Sequence, residues 1–165
     1  MKINKKIVAA AVVLASEAAV KSQGLKPMAR LVGYAHAGVE PTIMGIGPVP
    51  ATRKVLQRTG LKVSDLDVIE SNEAFAAQVL GCLAAWKDAD YCRTELGLGG
   101  AMGELNTEKL NVDGGAIALG HPVGASGTRI VLHLLHALKR TGGKRGIAAI
   151  CIGGGLGGAM LVEAL

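Results

Sequence analysis

Two apolar runs near the end of the chain, Gly146 to Ile152 and Gly158 to Val162, are separated only by Gly153 to Gly157. A parallel crossover needs about a dozen residues or more, so these two strands can pair only as an antiparallel hairpin. Upstream of them, strand-like and helix-like segments alternate. Met28 to Ala37 reads as a strand, and Leu66 to Glu70 as a short buried one. Asn111 to Gly120 reads as a strand running into a glycine turn. Ser16 is placed to cap a short helix, Glu17 to Gln23, that Gly24 ends. A helix from about Ala51 to Thr59 is stopped by Gly60, and another runs from Asn72 as cap to about Trp86. Val123 to Arg140 is a long helix with Ile130, Leu134, Leu135 and Leu138 at helical spacing. Such alternation ahead of a hairpin implies a mostly parallel sheet covered by helices on both faces.

Composition narrows this further. Half of the 165 residues are hydrophobic, yet Tyr34, Phe75, Trp86 and Tyr91 are the only aromatic ones, so the core is built from Ala, Val, Leu and Ile. No apolar run approaches the roughly 20 residues that span a bilayer. The net charge is +5, and Lys2, Lys5 and Lys6 account for three of those charges. No basic face with interleaved aromatics is present, which argues against nucleic acid as a partner. A second basic group, Lys139, Arg140, Lys144 and Arg145, sits where a helix ends and fits the negative end of its dipole, with phosphate binding as the other reading. Cys82, Cys92 and Cys151 are odd in number and form no CxxC. That favours free thiols in a reducing, cytoplasmic setting and gives no sign of a zinc site. The start of the chain, Met1 to Lys6 followed by apolar Ile7 to Leu14, has the form of a signal peptide. The preferred reading is a buried strand over Ile7 to Leu14 that leads into the helix at Ser16.

Three motifs carry chemistry. Asn111-Val112-Asp113-Gly114-Gly115-Ala116-Ile117-Ala118-Leu119-Gly120-His121-Pro122 presents a histidine between a glycine and a proline, just ahead of a helix start. Cys151-Ile152-Gly153-Gly154-Gly155 puts a thiol at the end of a strand, where loops build sites, rather than in mid-strand. Ser71-Asn72-Glu73-Ala74-Phe75-Ala76-Ala77-Gln78 opens a helix with an amide. A thiol and an imidazole in one pocket can move protons beside accessible backbone N–H groups. The other candidates are weaker. His133 and His136 share a helix face without a third ligand, His36 has no evident partner, and Cys82 and Cys92 lie in no glycine or serine turn. The run Gly153 to Gly158 leads into a strand, not a helix, and so is not a dinucleotide loop.

These three motifs, in this order, resemble the C-terminal half of a thiolase, an acyl-CoA C-acyltransferase. The resemblance covers residues 9–165, while residues 1–8 form an atypical N-terminal extension and residues 87–109 a longer connection similar to that of some fatty-acid-oxidation thiolases. The resemblance implies an α/β fold: a five-stranded mixed sheet between helix layers, with one strand antiparallel. It implies 3-ketoacyl-CoA thiolysis, or the reverse Claisen condensation, through an acyl-cysteine intermediate. In that scheme Cys151 is the acid/base. His121 helps to deprotonate the nucleophile and donates to a thioester oxygen. Asn72 holds a water that completes this oxyanion hole, and Gly153 offers its N–H, with an unusual φ, to a second one. Glu73 supports the histidine. No cofactor is implied beyond coenzyme A thioester as substrate. The family's nucleophilic cysteine belongs to the other half and has no match in this sequence. The implied partners are therefore an acyl-CoA and either an N-terminal thiolase half or a second copy of the chain. The alternative is an inactive thiolase-fold module for binding or assembly.

Overall fold

A computed structural model describes residues 10–165. Its sheet has four strands: β1 (Ala29–Gly38), β2 (Val68–Ser71), β3 (Arg145–Ile152) and β4 (Leu156–Ala164). They lie in the order β1-β4-β3-β2. β4 is antiparallel to both of its neighbours, and β2 pairs with β3 in parallel. The hairpin demanded by the short glycine gap is thus present, and β4 is the one reversed strand.

The fifth strand is reduced to a single rung. Leu110 makes one parallel bridge to Ile69, beyond β2. Asn111 then turns to a φ of 46°, which an extended strand cannot continue through. The strand expected over Ile7 to Leu14 falls partly outside the described residues. Its described part, residues 10–14, joins no strand, and Val13 and Leu14 are exposed. An apolar segment is a strand only where a sheet edge receives it.

Alternation along the strands sends side chains to two separate cores. Ile69, Ile147, Ala149, Ala159 and Leu161 face one side. There they meet α2 (Pro48–Thr59), α3 (Ala76–Lys87) and residues that follow α3. Val68, Ala148 and Val162 face the other side, against Ile130, Leu134, Ala137 and Leu138 of α6 (Val123–Thr141). Leu134 is fully buried, and each such leucine contributes roughly 1.5–3 kcal/mol. Among the described residues, α6 is the helix that packs on this second side, against β2, β3 and β4. On β1, Tyr34 and His36 remain exposed.

Two local devices fix the layers. Asp67 accepts the backbone N–H groups of Lys144 (2.7 Å) and Arg145 (2.9 Å), tying the start of β3 to the start of β2. The Arg145 N–H, more than any other contact, holds its carboxyl below the ordinary range. At the other end, the start of α2 is pressed against β4 so closely that a Cβ on Gly157 would overlap the Gly47 backbone.

The connection over 87–109 is more structured than its composition suggests. It contains α4 (Ala89–Thr94), capped by Asp88, and it buries Cys92, Leu96 and Leu105. The first short helix, α1 (Glu17–Gln23), has the expected Ser16 cap and the left-handed Gly24.

Candidate active site

β2 and β3 run in parallel with Ser71 opposite Ala149, so both strands deliver their C-terminal residues to one end of the sheet. Loops beyond the carboxyl ends of parallel strands are where α/β proteins build sites. Asn72 continues the ladder one step, donating its N–H to the Ala149 carbonyl at 2.9 Å. This pairing corrects the expectation that Asn72 caps a helix. α3 begins only at Ala76, after Phe75 in extended conformation. The Asn72 side chain is free to point elsewhere and is 1% exposed.

It points at the histidine. Asn72 Nδ2 lies 3.4 Å from His121 Nε2. The other ring nitrogen, Nδ1, is 2.6 Å from Ser126 Oγ, and that hydroxyl donates to the Pro122 carbonyl at 3.2 Å. A hydroxyl whose proton is so used accepts from Nδ1–H, which assigns the tautomer. Nε2 is then the unprotonated nitrogen, a base facing the Asn72 amide. Ser126 is completely buried on the first turn of α6, and sequence reasoning gave it no role. The available signal was its position five residues after His121, across a proline that starts a helix. Asn72 Oδ1 is buried and has no partner among the described protein atoms.

The loop that carries His121 is stapled to the end of β2. Asn111 Oδ1 accepts the Ser71 N–H (2.9 Å), while its Nδ2 donates to the Ser71 carbonyl (2.9 Å) and to Glu73 Oε1 (2.7 Å). Glu73 Oε2 accepts the N–H of Ile117 at 3.0 Å, in the short helix α5 (Ala116–Leu119). Glu73 therefore supports the histidine through the loop and not by a bond to its ring. Its carboxylate occupies the space a side chain at Gly115 would need.

Cys151 is the last inward residue of β3, opposite Gly157, and is 8% exposed. Burial pushes its thiol up from the ordinary cysteine range. Cys82 and Cys92 are buried within the first core, and burial raises Cys82 to about 11. Neither is placed as a nucleophile. Gly153 opens the β3–β4 turn, but it is not the residue with unusual backbone. Positive φ belongs to Gly154 (84°) and Gly155 (89°). A Cβ at Gly153 would meet nothing, so its place in the turn is open rather than strained. Val39 donates its N–H to the Gly155 carbonyl at 2.7 Å and pins the turn. Of the sequence-derived residues, Asn72 and His121 are in contact. Cys151 and Gly153 sit at the end of the strand next to β2.

His133, which the sequence left without a role, has partners on both ring nitrogens. Its Nδ1 lies 2.9 Å from Glu70 Oε1, and its Nε2 2.8 Å from Asp113 Oδ2. Arg140 also binds Asp113, at 2.7 Å and 2.8 Å, so it answers a carboxylate as well as the helix end. Among the described residues no helix is long and apolar enough to cross a membrane.

The sequence matches the family described as Thiolase, C-terminal domain over residues 25–164. It is 49% identical over 157 residues to an acetyl-CoA acetyltransferase of Syntrophomonas wolfei, covering 95% of this chain and 36% of that protein. It is 51% identical over 155 residues to the cytosolic acetyl-CoA acetyltransferase of Mus musculus, covering 94% of this chain and 35% of that one. Among solved structures it resembles human mitochondrial 3-ketoacyl-CoA thiolase in complex with CoA, at a TM-score of 0.77 and 46% identity. That match covers 92% of this chain and 34% of the other. The chain thus spans about a third of the length of the relatives it matches.

Proposed function

We propose that this chain, which belongs to the thiolase C-terminal domain family, supplies the C-terminal catalytic part of an acyl-CoA C-acyltransferase. The observation that carries the reading is the hydrogen-bonded series Asn72–His121–Ser126, set at the same sheet end as Cys151. His121 Nε2 is a base ready to take the proton of an incoming nucleophilic thiol from the family's other half. That thiolate attacks the ketone of a 3-ketoacyl-CoA, and the bond between the α- and β-carbons breaks. The β-acyl group stays on the nucleophile. The leaving acetyl-CoA enolate takes a proton from Cys151. Coenzyme A then gives its thiol proton to the Cys151 thiolate and displaces the acyl group, the released nucleophile recovers its proton from His121, and condensation is the same series reversed.

His121 and a water held by Asn72 stabilise the enolate oxygen. The unpaired, buried Asn72 Oδ1 supports a polar guest there. One donor of this kind is worth roughly 2.7–4 kcal/mol in the transition state. The open Gly153 position supports its N–H as a donor to the second oxyanion. Coenzyme A thioester enters as substrate, and no bound cofactor takes part. Three unpaired thiols suit a reducing, cytoplasmic setting.

The partner is an N-terminal thiolase half. Exposed Phe75, Ile117, Leu119 and Val123 give it an apolar margin beside His121, and exposed Tyr34 and His36 of β1 give it a sheet face to cover. The test is an acetoacetyl-CoA thiolysis assay with this chain alone, then with a separately expressed N-terminal half. Activity only in the mixture, abolished by Cys151→Ala, supports the reading. Activity in neither favours a binding or assembly module, and activity in the chain alone would overturn the assignment of the nucleophile.

A further inference from the structure

We propose that His133 is a positioning residue: its imidazole joins Glu70 at the end of β2 to Asp113 in the Asn111–His121 loop, and so helps to hold the loop that aims His121 at Asn72. The inference rests on the functional reading above for its purpose, but its geometry is independent of it. Both ring nitrogens face a carboxylate, at 2.9 Å and 2.8 Å. Glu70 is 3% exposed, in the strand residue two before Asn72. Asp113 lies two residues after the Asn111 staple and is further held by Arg140. The bridge therefore spans β2, α6 and the loop.

A histidine between two carboxylates has two contacts to fill. With one proton shared by Glu70 and His133 beyond the one on Nε2, both contacts are satisfied. The Nε2–H donates to Asp113, and the second proton sits between Nδ1 and Glu70. When that proton leaves, Nδ1 and the Glu70 carboxylate face each other as two acceptors, and only one arm of the bridge survives.

The charges around Glu70 set where this happens. Burial raises its proton affinity most, Asp113 and Glu73 raise it further, and His133 opposes them, leaving the group at about 7. Arg140 stabilises the charge on Asp113, so this carboxylate does not compete for the proton. The Nδ1···Oε1 approach is close but poorly aligned for a hydrogen bond, consistent with the arm that yields first.

The test is amide hydrogen exchange of this chain between pH 6 and 9, corrected for intrinsic exchange and read at residues 112–120. The expected result is protection that falls at least about tenfold as pH rises through neutrality, the equivalent of losing one close charged contact. Glu70→Gln keeps an N–H donor toward Nδ1 and should remove the pH step while retaining the protection. His133→Ala should lose the protection at every pH. If that variant does not fold, Asp113→Ala decides, because this side chain lies at the surface and its loss should release the loop alone. A pH step that persists in Glu70→Gln, or unchanged exchange in the bridge-free variant, would overturn the proposal. Neither readout requires turnover, so an inactive mixture with the N-terminal half would count against the function and leave this result standing.

Discussion

Replacing Asn111 with alanine should be the most informative single change in the loop. The side chain makes three hydrogen bonds, two to the Ser71 peptide and one to the Glu73 carboxylate, while its backbone holds a φ of 46°. The two neutral bonds contribute about 1 kcal/mol each and the charged one about 2 kcal/mol. Left-handed backbone costs alanine about 1 kcal/mol more than it costs asparagine or glycine. The sum is about 5 kcal/mol, a large part of the stability of an ordinary domain. Urea unfolding followed by circular dichroism should register it, and thermal unfolding should show Tm lowered by roughly 10–20 °C. Asn111→Gly loses the same bonds without the backbone cost and should recover about 1 kcal/mol of the loss. An alanine variant within about 1 kcal/mol of the parent, or a glycine variant less stable than alanine, would refute the reasoning.

Three further outcomes follow from other groups. Ser126→Ala removes the acceptor that fixes the His121 tautomer, so activity of the complemented enzyme should fall by about tenfold with a shifted pH profile, measured by thiolysis rates from pH 6 to 9. Glu70 has a folded-state pKa of about 7 against an unfolded 4.5. The native state therefore holds the extra proton between those values. The Glu70 contribution to stability is therefore present below about pH 4.5 and lost as pH rises through about 7. The change in urea midpoint between pH 5 and 8 should differ between the parent and Glu70→Gln in that direction, the parent losing more stability at pH 8. Burial raises both Cys151 and Cys82, so iodoacetamide at pH 7 should label neither quickly in the folded chain, while denaturant should expose all three thiols. Mass spectrometry showing fast labelling of Cys151 at pH 7 would contradict its burial-raised pKa.

Much of the architecture was legible because it depends on local pattern. The glycine gap forced the β3–β4 hairpin, and the spacing of Ile130, Leu134 and Leu138 gave α6 and its buried face. Where long-range pairing decided the outcome, the sequence misled. Asn72 looks like a cap because its neighbours look helical, yet the Ala149 carbonyl on another strand claims its N–H. Ile7 to Leu14 looks like a strand because it is apolar, but its described part meets no edge. The site shows the same division. His121, Cys151 and Gly153 stand in glycine motifs visible in the chain. Ser126 and His133 act through partners brought together by folding, and a serine or histidine on a helix carries no local mark of that.

The sheet order also dictates when the chain can finish folding. Ala29 pairs with Ala164, and β1 reaches the rest of the sheet only through β4. Within this sheet β1 thus waits for β4, because the slot between β1 and β3 is filled by the strand that comes latest of the four in the chain. Closing so long a loop carries a large entropy cost, and contacts of this separation slow folding. Until β4 arrives, β1 has no partner in this sheet and is an edge open to stray pairing. Deleting β4 would therefore remove a central strand from the sheet rather than trim its border.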